Sequence, residues 1–290
     1  MKSTFFTALL LSVTLTCFSQ TPVIQGEIRN AATSELLPYV TIGISNKNAG
    51  TVSDKQGVFT LALPAGITQN DTLVFSCIGF ETRQLRLSDL SKSNQVVLLQ
   101  PKAVELNEVV VAPEKKKRKP RTIGRNDKGL GLMHYNFYTA YEKDVDDRLS
   151  KEVGVGLKIR SDCRIRNLNF HITQNEFRSV IFRVNMYKIE NGVPTELLVT
   201  DNILFEIKDN YTGWFTVDLT PYDIYLNETH GDVAVTIQWL ESKKTSEKSK
   251  YFAISAAQSV FHTTYVRNKA MDKWSSIGGN LSFYLNALCD

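Results

Sequence analysis

The chain has 290 residues, of which 42% are hydrophobic and 22% are charged, and its formal net charge is +4. Glu114–Arg121 contains six cations and one anion, so this segment carries +5 and the rest of the chain together carries −1. Because the remainder is close to neutral, it has no broad basic field, which excludes nucleic acid as the expected partner.

The first residues have the pattern of a signal peptide. Lys2 supplies a positive charge, Phe5–Leu15 is apolar but too short to span a bilayer, and Cys17 and Ser19 are small residues at a cleavage position. We predict a signal peptide over residues 1–19, with lipidation of Cys17 as the alternative. No later stretch approaches about 18 uninterrupted apolar residues, so no transmembrane segment is predicted in the mature chain. Export to the periplasm, the outer-membrane surface or the extracellular space is expected.

Residues 21–112 are predicted to form a β-sandwich. Short strand-like runs are separated by turn residues such as Asn48-Ala49-Gly50 and Pro64-Ala65-Gly66, with almost no helical periodicity. The runs are Val23–Arg29, Tyr39–Ser45, Val58–Leu63, Thr72–Ile78, Glu81–Leu87, Gln95–Leu99 and Leu106–Val111. Seven antiparallel strands in this length are enough to enclose one hydrophobic core.

Three motifs in this region carry a resemblance to a known family. They are Gly57-Val58-Phe59, the segment Asp71–Phe80, and the run LNEVVV at Leu106–Val111. Residues 23–112 thereby resemble the carboxypeptidase regulatory-like domain of the Bacteroidetes, which implies a transthyretin-like β-sandwich. Such domains occur beside peptidases, at the front of TonB-dependent receptors, and alone.

The peptidase and receptor contexts that this resemblance allows are not supported by the rest of the sequence. A zinc carboxypeptidase needs His-x-x-Glu, and none of His134, His171, His230 or His262 has Glu at the third following position. A receptor barrel needs several hundred further residues. We therefore expect neither activity.

The segment 113–127 is predicted to be a basic linker. Lys115–Lys119 is a run of five cations followed by Pro120. Like charges repel one another and keep a solvated spacer extended. Attraction to anionic lipid headgroups or to surface polysaccharide is the alternative role of these cations.

Residues 128–290 are predicted to form a second, jelly-roll-like β-sandwich, which makes the whole chain all-β. Alternating or apolar runs occur at Val153–Ile159, Leu168–Ile172, Val180–Met186, Ile203–Ile207, Trp214–Leu219, Val233–Trp239, Tyr251–Ser255 and Leu281–Leu285. Eight or more strands of this kind are typical of a jelly roll, and the general pattern resembles secreted bacterial jelly-roll domains. The aromatic segment Met133–Tyr141 fits either a strand or a short helix.

Cys77 lies in an apolar run and is interpreted as a small core residue. Cys163 and Cys289 fall near opposite ends of the second sandwich, whose terminal strands could lie side by side. A disulfide between them and two buried thiols are both compatible with the sequence. No CxxC or Cys/His cluster occurs, so neither a metal site nor a cofactor is expected.

Five aromatic residues of the second sandwich are candidate ligand-binding residues, because jelly rolls include carbohydrate-binding modules and sugars stack on aromatic rings. These are Tyr211, Trp214, Tyr222, Tyr225 and Trp274. Trp214 also falls in a strand pattern, where a core position is the more common outcome. Trp274 lies in a polar stretch, which favours exposure.

Neither a nucleophile elbow nor a phosphate loop occurs in the sequence. The carboxylates of Asp144, Asp146 and Asp147 lie in a highly charged stretch that is typical of a solvated surface. We therefore expect no enzyme but a secreted or envelope-associated structural or interaction protein. Its partner could be an envelope protein or a surface polysaccharide. A glycan-binding module using the second sandwich is the alternative function.

Overall fold

The computed structural model describes residues 22–90, 95–102, 118–129, 131, 133–138 and 148–290. In these ranges the chain forms β-strands and three short 3-10 helices, at Leu87–Asp89, Thr220–Tyr222 and Glu228–His230, and no α-helix. The predicted all-β fold class is therefore confirmed. No helix in the described ranges is long and apolar enough to cross a membrane. The predicted signal peptide, the strand predicted at Leu106–Val111, and Asp144, Asp146 and Asp147 all lie outside these ranges.

The first sandwich consists of two facing sheets. Its strands are β1 (Val23–Asn30), β2 (Thr41–Ile44), β3 (Gly50–Val52), β4 (Val58–Ala62), β5 (Thr72–Ser76), β6 (Arg83–Arg86) and β7 (Gln95–Leu99). One sheet has the order β4-β1-β7 and the other the order β3-β2-β5-β6. The expectation of a wholly antiparallel sandwich was wrong at one pair, because β7 lies parallel to β1. The chain crosses from one sheet to the other after β6 and so enters β7 in the direction of β1.

Alternation along the strands builds the core of the first sandwich. The buried residues include Ile24 and Ile28 on β1 and Phe59 and Leu61 on β4. Val58, the first residue of β4, is exposed. Their side chains join a single cluster with the buried residues of β2 and β5. Because side chains alternate between the two faces of a strand, each strand contributes every second residue to this core.

The described part of the second sandwich contains fifteen strands. They are β8 (Lys119–Gly124), β9 (Met133–Asn136), β10 (Glu152–Lys158), β11 (Cys163–Asn175), β12 (Phe177–Glu190), β13 (Val193–Leu197), β14 (Ile203–Lys208), β15 (Gly213–Asp218), β16 (Tyr225–Leu226), β17 (Asp232–Lys244), β18 (Phe252–Ala257), β19 (Thr263–Arg267), β20 (Ser275–Gly278), β21 (Asn280–Leu281) and β22 (Phe283–Cys289). The ambiguous segment at Met133 is thus a strand at its start.

These strands form two sheets. The seven-stranded sheet has the order β13-β12-β17-β10-β19-β20, with β14 also paired to β12. The eight-stranded sheet has the order β21-β18-β11-β22-β8, with β15 and β16 on β11 and β9 on β18. Trp239 is fully buried between the sheets, where its ring meets Phe182 and Phe177 at centroid distances of 5.2 Å. One continuous aliphatic and aromatic core fills this sandwich.

The basic linker predicted over 113–127 was wrong in its second half. Lys119–Gly124 is the edge strand β8, which pairs antiparallel with β22 in the register Lys119 to Cys289 and Gly124 to Tyr284. Ile123 packs against the core, while the other residues of β8 are exposed. A cation run ending at Pro120 resembles a spacer, yet an edge strand tolerates both charge and proline because one of its edges is unpaired. The second sandwich therefore begins at residue 119 rather than 128.

The two sandwiches are in direct contact. All four residues of β2 and all three of β3 are buried, because one face of these strands meets the first core and the other meets the second sandwich. Tyr39 and Val52 form an apolar cluster with Leu240 of β17. The Asn46 backbone N–H donates to the carbonyl of Met271 at 2.8 Å. The domains therefore have separate cores but share an interface.

Candidate ligand-binding cleft

A cleft of about 540 Å³ opens on the second sandwich where β8, the end of β10 and the start of β19 come together. Residues from well-separated parts of the sequence line it, and they include cations, hydroxyl and amide side chains, and aromatic rings. They are Arg121, Thr122, Ile123, Gly124, Gly156, Leu157, Lys158, Arg160, Ser161, Cys163, Ile189, Asp232, Phe261, His262, Thr263, Tyr265, Asn280 and Cys289.

Strand β8 forms one wall of the cleft. Alternation places Arg121 on the same face of β8 as Ile123, which packs against the core. Gly124 ends the strand with a φ of 111°, and a side chain there would meet the carbonyl of Phe283 and Leu157 Cδ2 at 3.0 Å. Only glycine suits this combination of positive φ and close approach. The end of β8 is thereby packed closely against Leu157 of the opposite sheet.

A disulfide forms another part of the wall. Cys163 at the start of β11 and Cys289 at the end of β22 are direct register partners, and they are bonded with their Cα atoms 4.1 Å apart. These are the two cysteines that the sequence left open between a disulfide and two thiols. A disulfide is stable in an oxidising compartment, which fits an exported protein. Cys77 is a free thiol packed at the edge of the first core, and burial raises its pKa.

The loop between β18 and β19 projects two apolar side chains beside the cleft. Val260 is 85% exposed and Phe261 is 90% exposed. Ser259 stabilises this loop, because its Oγ accepts the Phe261 backbone N–H at 3.2 Å and lies 2.8 Å from His262 Nδ1. A large aromatic ring held in solvent beside a cleft is suited to stacking on a ligand.

None of the five aromatic residues predicted from the sequence lines this cleft. Tyr211 and Trp214 lie together near the start of β15, where the Tyr211 hydroxyl donates to the Trp214 carbonyl at 2.6 Å. Tyr222 is half-buried against the second core. Tyr225 is 50% exposed between two guanidinium groups, with Arg118 5.3 Å and Arg164 5.9 Å from its ring centroid. The structure thus disperses the predicted residues over several surfaces.

Trp274, predicted to be exposed in a polar stretch, is half-buried over an ion pair. Its ring centroid lies 4.5 Å from the guanidinium carbon of Arg267, which pairs with the fully buried carboxylate of Glu152 at 2.5 Å. Glu152 also accepts hydrogen bonds from Asn185 Nδ2 at 2.8 Å and from the Thr236 hydroxyl. Burial opposes the charge of Arg267, but the adjacent Glu152 outweighs it and raises the Arg267 pKa. The charge of Glu152 is balanced by Arg267, and its carboxylate already accepts hydrogen bonds from protein groups. We therefore interpret this cluster as structural.

Trp214 belongs to an aromatic group that the sequence did not reveal. Strand pairing places it beside His171, and its ring centroid lies 5.3 Å from those of both His171 and Tyr284. The contacts are edge-to-face, at 73° and 70°, so the rings do not form a flat stacking platform. Trp214 occupies the outer face of the sheet rather than the core, because Phe215 and Val217 supply the inward positions of β15.

Three histidines, His171, His230 and His262, are hydrogen-bonded to hydroxyls or to backbone rather than to carboxylates. His171 Nδ1 lies 2.8 Å from Ser255 Oγ, and His230 Nδ1 accepts the Asn227 backbone N–H at 3.0 Å. Burial lowers the pKa of His171, and Lys128 adds to this effect. Within the same ranges no group of three or more His, Cys, Asp or Glu residues is arranged to hold a metal ion.

The family expected from the sequence motifs is confirmed for the first sandwich. Residues 24–111 match the model of the CarboxypepD_reg-like domain, in agreement with the resemblance found over 23–112. This match covers the first sandwich and says nothing of the second. No curated protein is detectably similar in sequence to the chain.

Solved structures with a similar arrangement are distant. The cysteine protease and lectin-like domains of Cwp84, a surface layer associated protein of Clostridium difficile, align with a TM-score of 0.39 at 10% identity over 87% of this chain and 59% of that one. A candidate carbohydrate-binding protein from Bacteroides uniformis aligns with a TM-score of 0.22 at 9% identity over 89% of this chain and 97% of that one. This chain thus spans less than two thirds of the Cwp84 chain, and scores this low carry no functional argument.

Proposed function

We propose that this chain is an exported, non-enzymatic binding protein of the cell envelope, and that its second sandwich takes a surface polysaccharide into the cleft beside β8. One observation carries the proposal. The cleft of about 540 Å³ combines hydroxyl and amide side chains with the exposed ring of Phe261. Sugars are recognised through hydrogen bonds to their hydroxyl groups and through stacking on aromatic rings.

The absence of an enzyme-like constellation near the cleft supports a binding role. His262 is the histidine of the cleft, and its hydrogen-bond partner is Ser259. A serine nucleophile needs a histidine that is oriented by a carboxylate. In the described part of the chain no hydrogen bond joins a histidine to a carboxylate, so this pair is interpreted as a loop contact.

The first sandwich is proposed to act as a rigid support. Its β2–β3 hairpin is docked on the seven-stranded sheet, so the cleft on the second sandwich keeps a fixed orientation to the first. Export is supported by the Cys163–Cys289 disulfide together with the predicted signal peptide. The periplasm, the outer-membrane surface and the extracellular space remain the proposed locations, in a bacterium of the Bacteroidetes type.

The test is saccharide binding measured on an array that includes polysaccharides isolated from the native envelope. Ser161→Trp places a large ring in the cleft and is expected to abolish binding. Thr212→Trp is the matched control, because it adds the same bulk next to Tyr211 and Trp214, the location that the sequence predicted. Binding that survives Ser161→Trp but not Thr212→Trp would move the site to those aromatics. If no saccharide binds the unmodified protein, glycan binding is contradicted.

A further inference from the structure

The cleft has an excess of positive charge. Arg121, Lys158 and Arg160 line it and are exposed, whereas Asp232 is its one lining carboxylate. Lys158 and Asp232 are opposite each other where β10 meets β17, yet no ion pair joins them. None of the three cations has an ion pair or a side-chain hydrogen bond to any residue of the described ranges. Their donors are therefore available to a ligand.

The three cations reach the cleft from different structural elements. Arg121 lies on β8, on the same strand face as Ile123, which packs against the core. Lys158 is the last residue of β10, and Arg160 follows two residues later. Some cations elsewhere on the same sandwich do have acidic partners. Arg118 pairs with Asp290 at 3.1 Å and Arg164 pairs with Asp223 at 2.7 Å. The cleft thus brings together three cations that have no such partner in the described residues.

An added peptide strand is the other extended ligand that an edge strand such as β8 can accept. Two features of β8 oppose it. Pro120 lacks the N–H that a ladder hydrogen bond requires, and Gly124 leaves the extended conformation with its φ of 111°. Only a short stretch of regular edge remains between them. The recognition groups left are side chains, namely cations, hydroxyls and rings.

We propose that the cleft selects an acidic saccharide, with the unpaired cations Arg121, Lys158 and Arg160 contacting its carboxylate or sulfate groups beside the exposed ring of Phe261. This inference rests on the proposed glycan-binding function and specifies its ligand class. Charge-assisted hydrogen bonds from Arg and Lys to anionic oxygens are stronger than neutral ones, and screening by salt weakens them. A neutral glycan would leave three desolvated cations without compensation.

Binding of dextran sulfate and dextran, two probes with one backbone and different charge, tests the inference, and polygalacturonate supplies the carboxylated case. We expect the unmodified protein to bind the two acidic probes more tightly than dextran, and to bind them more weakly as the salt concentration rises. The variant Arg121→Gln/Lys158→Gln/Arg160→Gln is expected to lose roughly tenfold or more in affinity. All three side chains are exposed, so the variant should remain folded, which its melting temperature will show.

Any basic protein attracts polyanions to some degree, so a charge-matched control is required. Lys55→Gln/Arg178→Gln/Lys243→Gln removes the same charge at exposed positions outside the cleft and should bind like the unmodified protein. Equal losses in both triple variants would overturn the inference. Binding of neutral glycans only, blocked by Ser161→Trp, would overturn it while leaving the proposed function in place. Binding of no saccharide at all would overturn both.

Discussion

Arg183 on β12 connects the two sandwiches through a buried guanidinium group. Its Nη2 donates to the carbonyl of Tyr39 at 2.6 Å, and its Nη1 donates to Thr41 Oγ1 at 3.2 Å and to Gln238 Oε1 at 3.1 Å. Burial lowers the pKa of Arg183, but a guanidinium group remains charged in proteins. A buried charge is tolerated only when its donors are satisfied, so this residue stabilises the docked arrangement in particular.

We expect Arg183→Met to destabilise the protein by about 3–5 kcal/mol, because it leaves the Tyr39 carbonyl and its neighbours without donors in a buried interface. Urea unfolding followed by circular dichroism measures the change. Arg178→Met, on the same strand but exposed, is the control and should cost little. Equal effects of the two substitutions would show that the guanidinium hydrogen bonds do not stabilise the interface.

His171 provides a pH-dependent contribution to stability. Burial among Trp214 and its neighbours lowers the His171 pKa, with Lys128 adding to the effect, so the folded protein holds this imidazole neutral more firmly than the unfolded chain does. The unfolded chain therefore takes up a proton first as the pH falls below about 6.5. The contribution is present above that pH and is lost as the pH falls through the lower pKa of the folded state.

His171→Gln is accordingly expected to flatten the dependence of the melting temperature on pH between about pH 7.5 and about pH 5.5. The control is His134→Gln, at an exposed position on β9. A pH profile that is unchanged in His171→Gln, or flattened equally in His134→Gln, contradicts the assignment to His171.

At the scale of elements, two facing glycines allow the β2–β3 hairpin to dock. Gly43 and Gly50 are register partners, and a side chain on either would collide with the carbonyl of Ala270 in the loop after β19, at 2.6 Å for Gly50. The contact is backbone against backbone, so no rotamer change can relieve it. Glycine at both positions is a requirement of the interface rather than of either sandwich alone.

Gly50→Ala should therefore weaken docking while each sandwich keeps its own core. We expect calorimetry to separate one unfolding transition into two and small-angle scattering to show a larger radius of gyration. The control is Gly279→Ala, where the added methyl group meets Thr264 Oγ1 at an ordinary 3.6 Å. If Gly50→Ala unfolds in a single unchanged transition, the interface accommodates the added methyl group, and glycine is not required at this position.

The sequence predicted elements well where one face of a strand meets a core. The predicted run Tyr39–Ser45 contains Val40, Ile42 and Ile44, and the predicted run Val58–Leu63 contains Phe59, Leu61 and Leu63. All six side chains are buried. The sequence predicted strands less well where a strand contacts the other domain or lies at the edge of a sheet. The chemistry of Asn48-Ala49-Gly50 predicts a turn that overlaps Gly50–Val52, and the burial of this strand depends on the other domain. The cations of β8 and Pro120 are typical of a linker, so the sequence did not predict this strand.

The cleft could not be predicted, because its lining comes from segments as far apart as Arg121 and Cys289 and no local pattern marks any one of them. The aromatic candidates were chosen for local exposure instead. Whether an aromatic side chain stacks on a ligand or on a neighbouring ring or cation depends on strand register, as Trp214 and Trp274 show. Register over long sequence separations is set by tertiary packing.

At the scale of the whole molecule, the docked interface rather than the connecting chain should hold the two sandwiches together. The contacts of Arg183, the cluster of Tyr39, Val52 and Leu240, and the Asn46–Met271 hydrogen bond all join them directly. Domains move relative to one another unless a direct interface holds them, and we expect these contacts to do so.

A specific protease site introduced between Lys102 and Arg118 tests this expectation. After cleavage the two fragments should still elute together in gel filtration under native conditions, since the interface persists without the covalent link. The same cleavage in the Arg183→Met variant should release them. Separate elution of the fragments from the otherwise unmodified chain would show that the link, and not the docking, maintains the assembly.

The position of β8 has a mechanical consequence. Among the strands that the structure describes, it is the first of the second sandwich along the chain, and its pairing partner is β22. Were the docked hairpin to open, tension applied through the first sandwich would act on β8 before the other described strands of the second. Arg121 would then move with β8, so a force applied to the first sandwich would weaken ligand binding by the second.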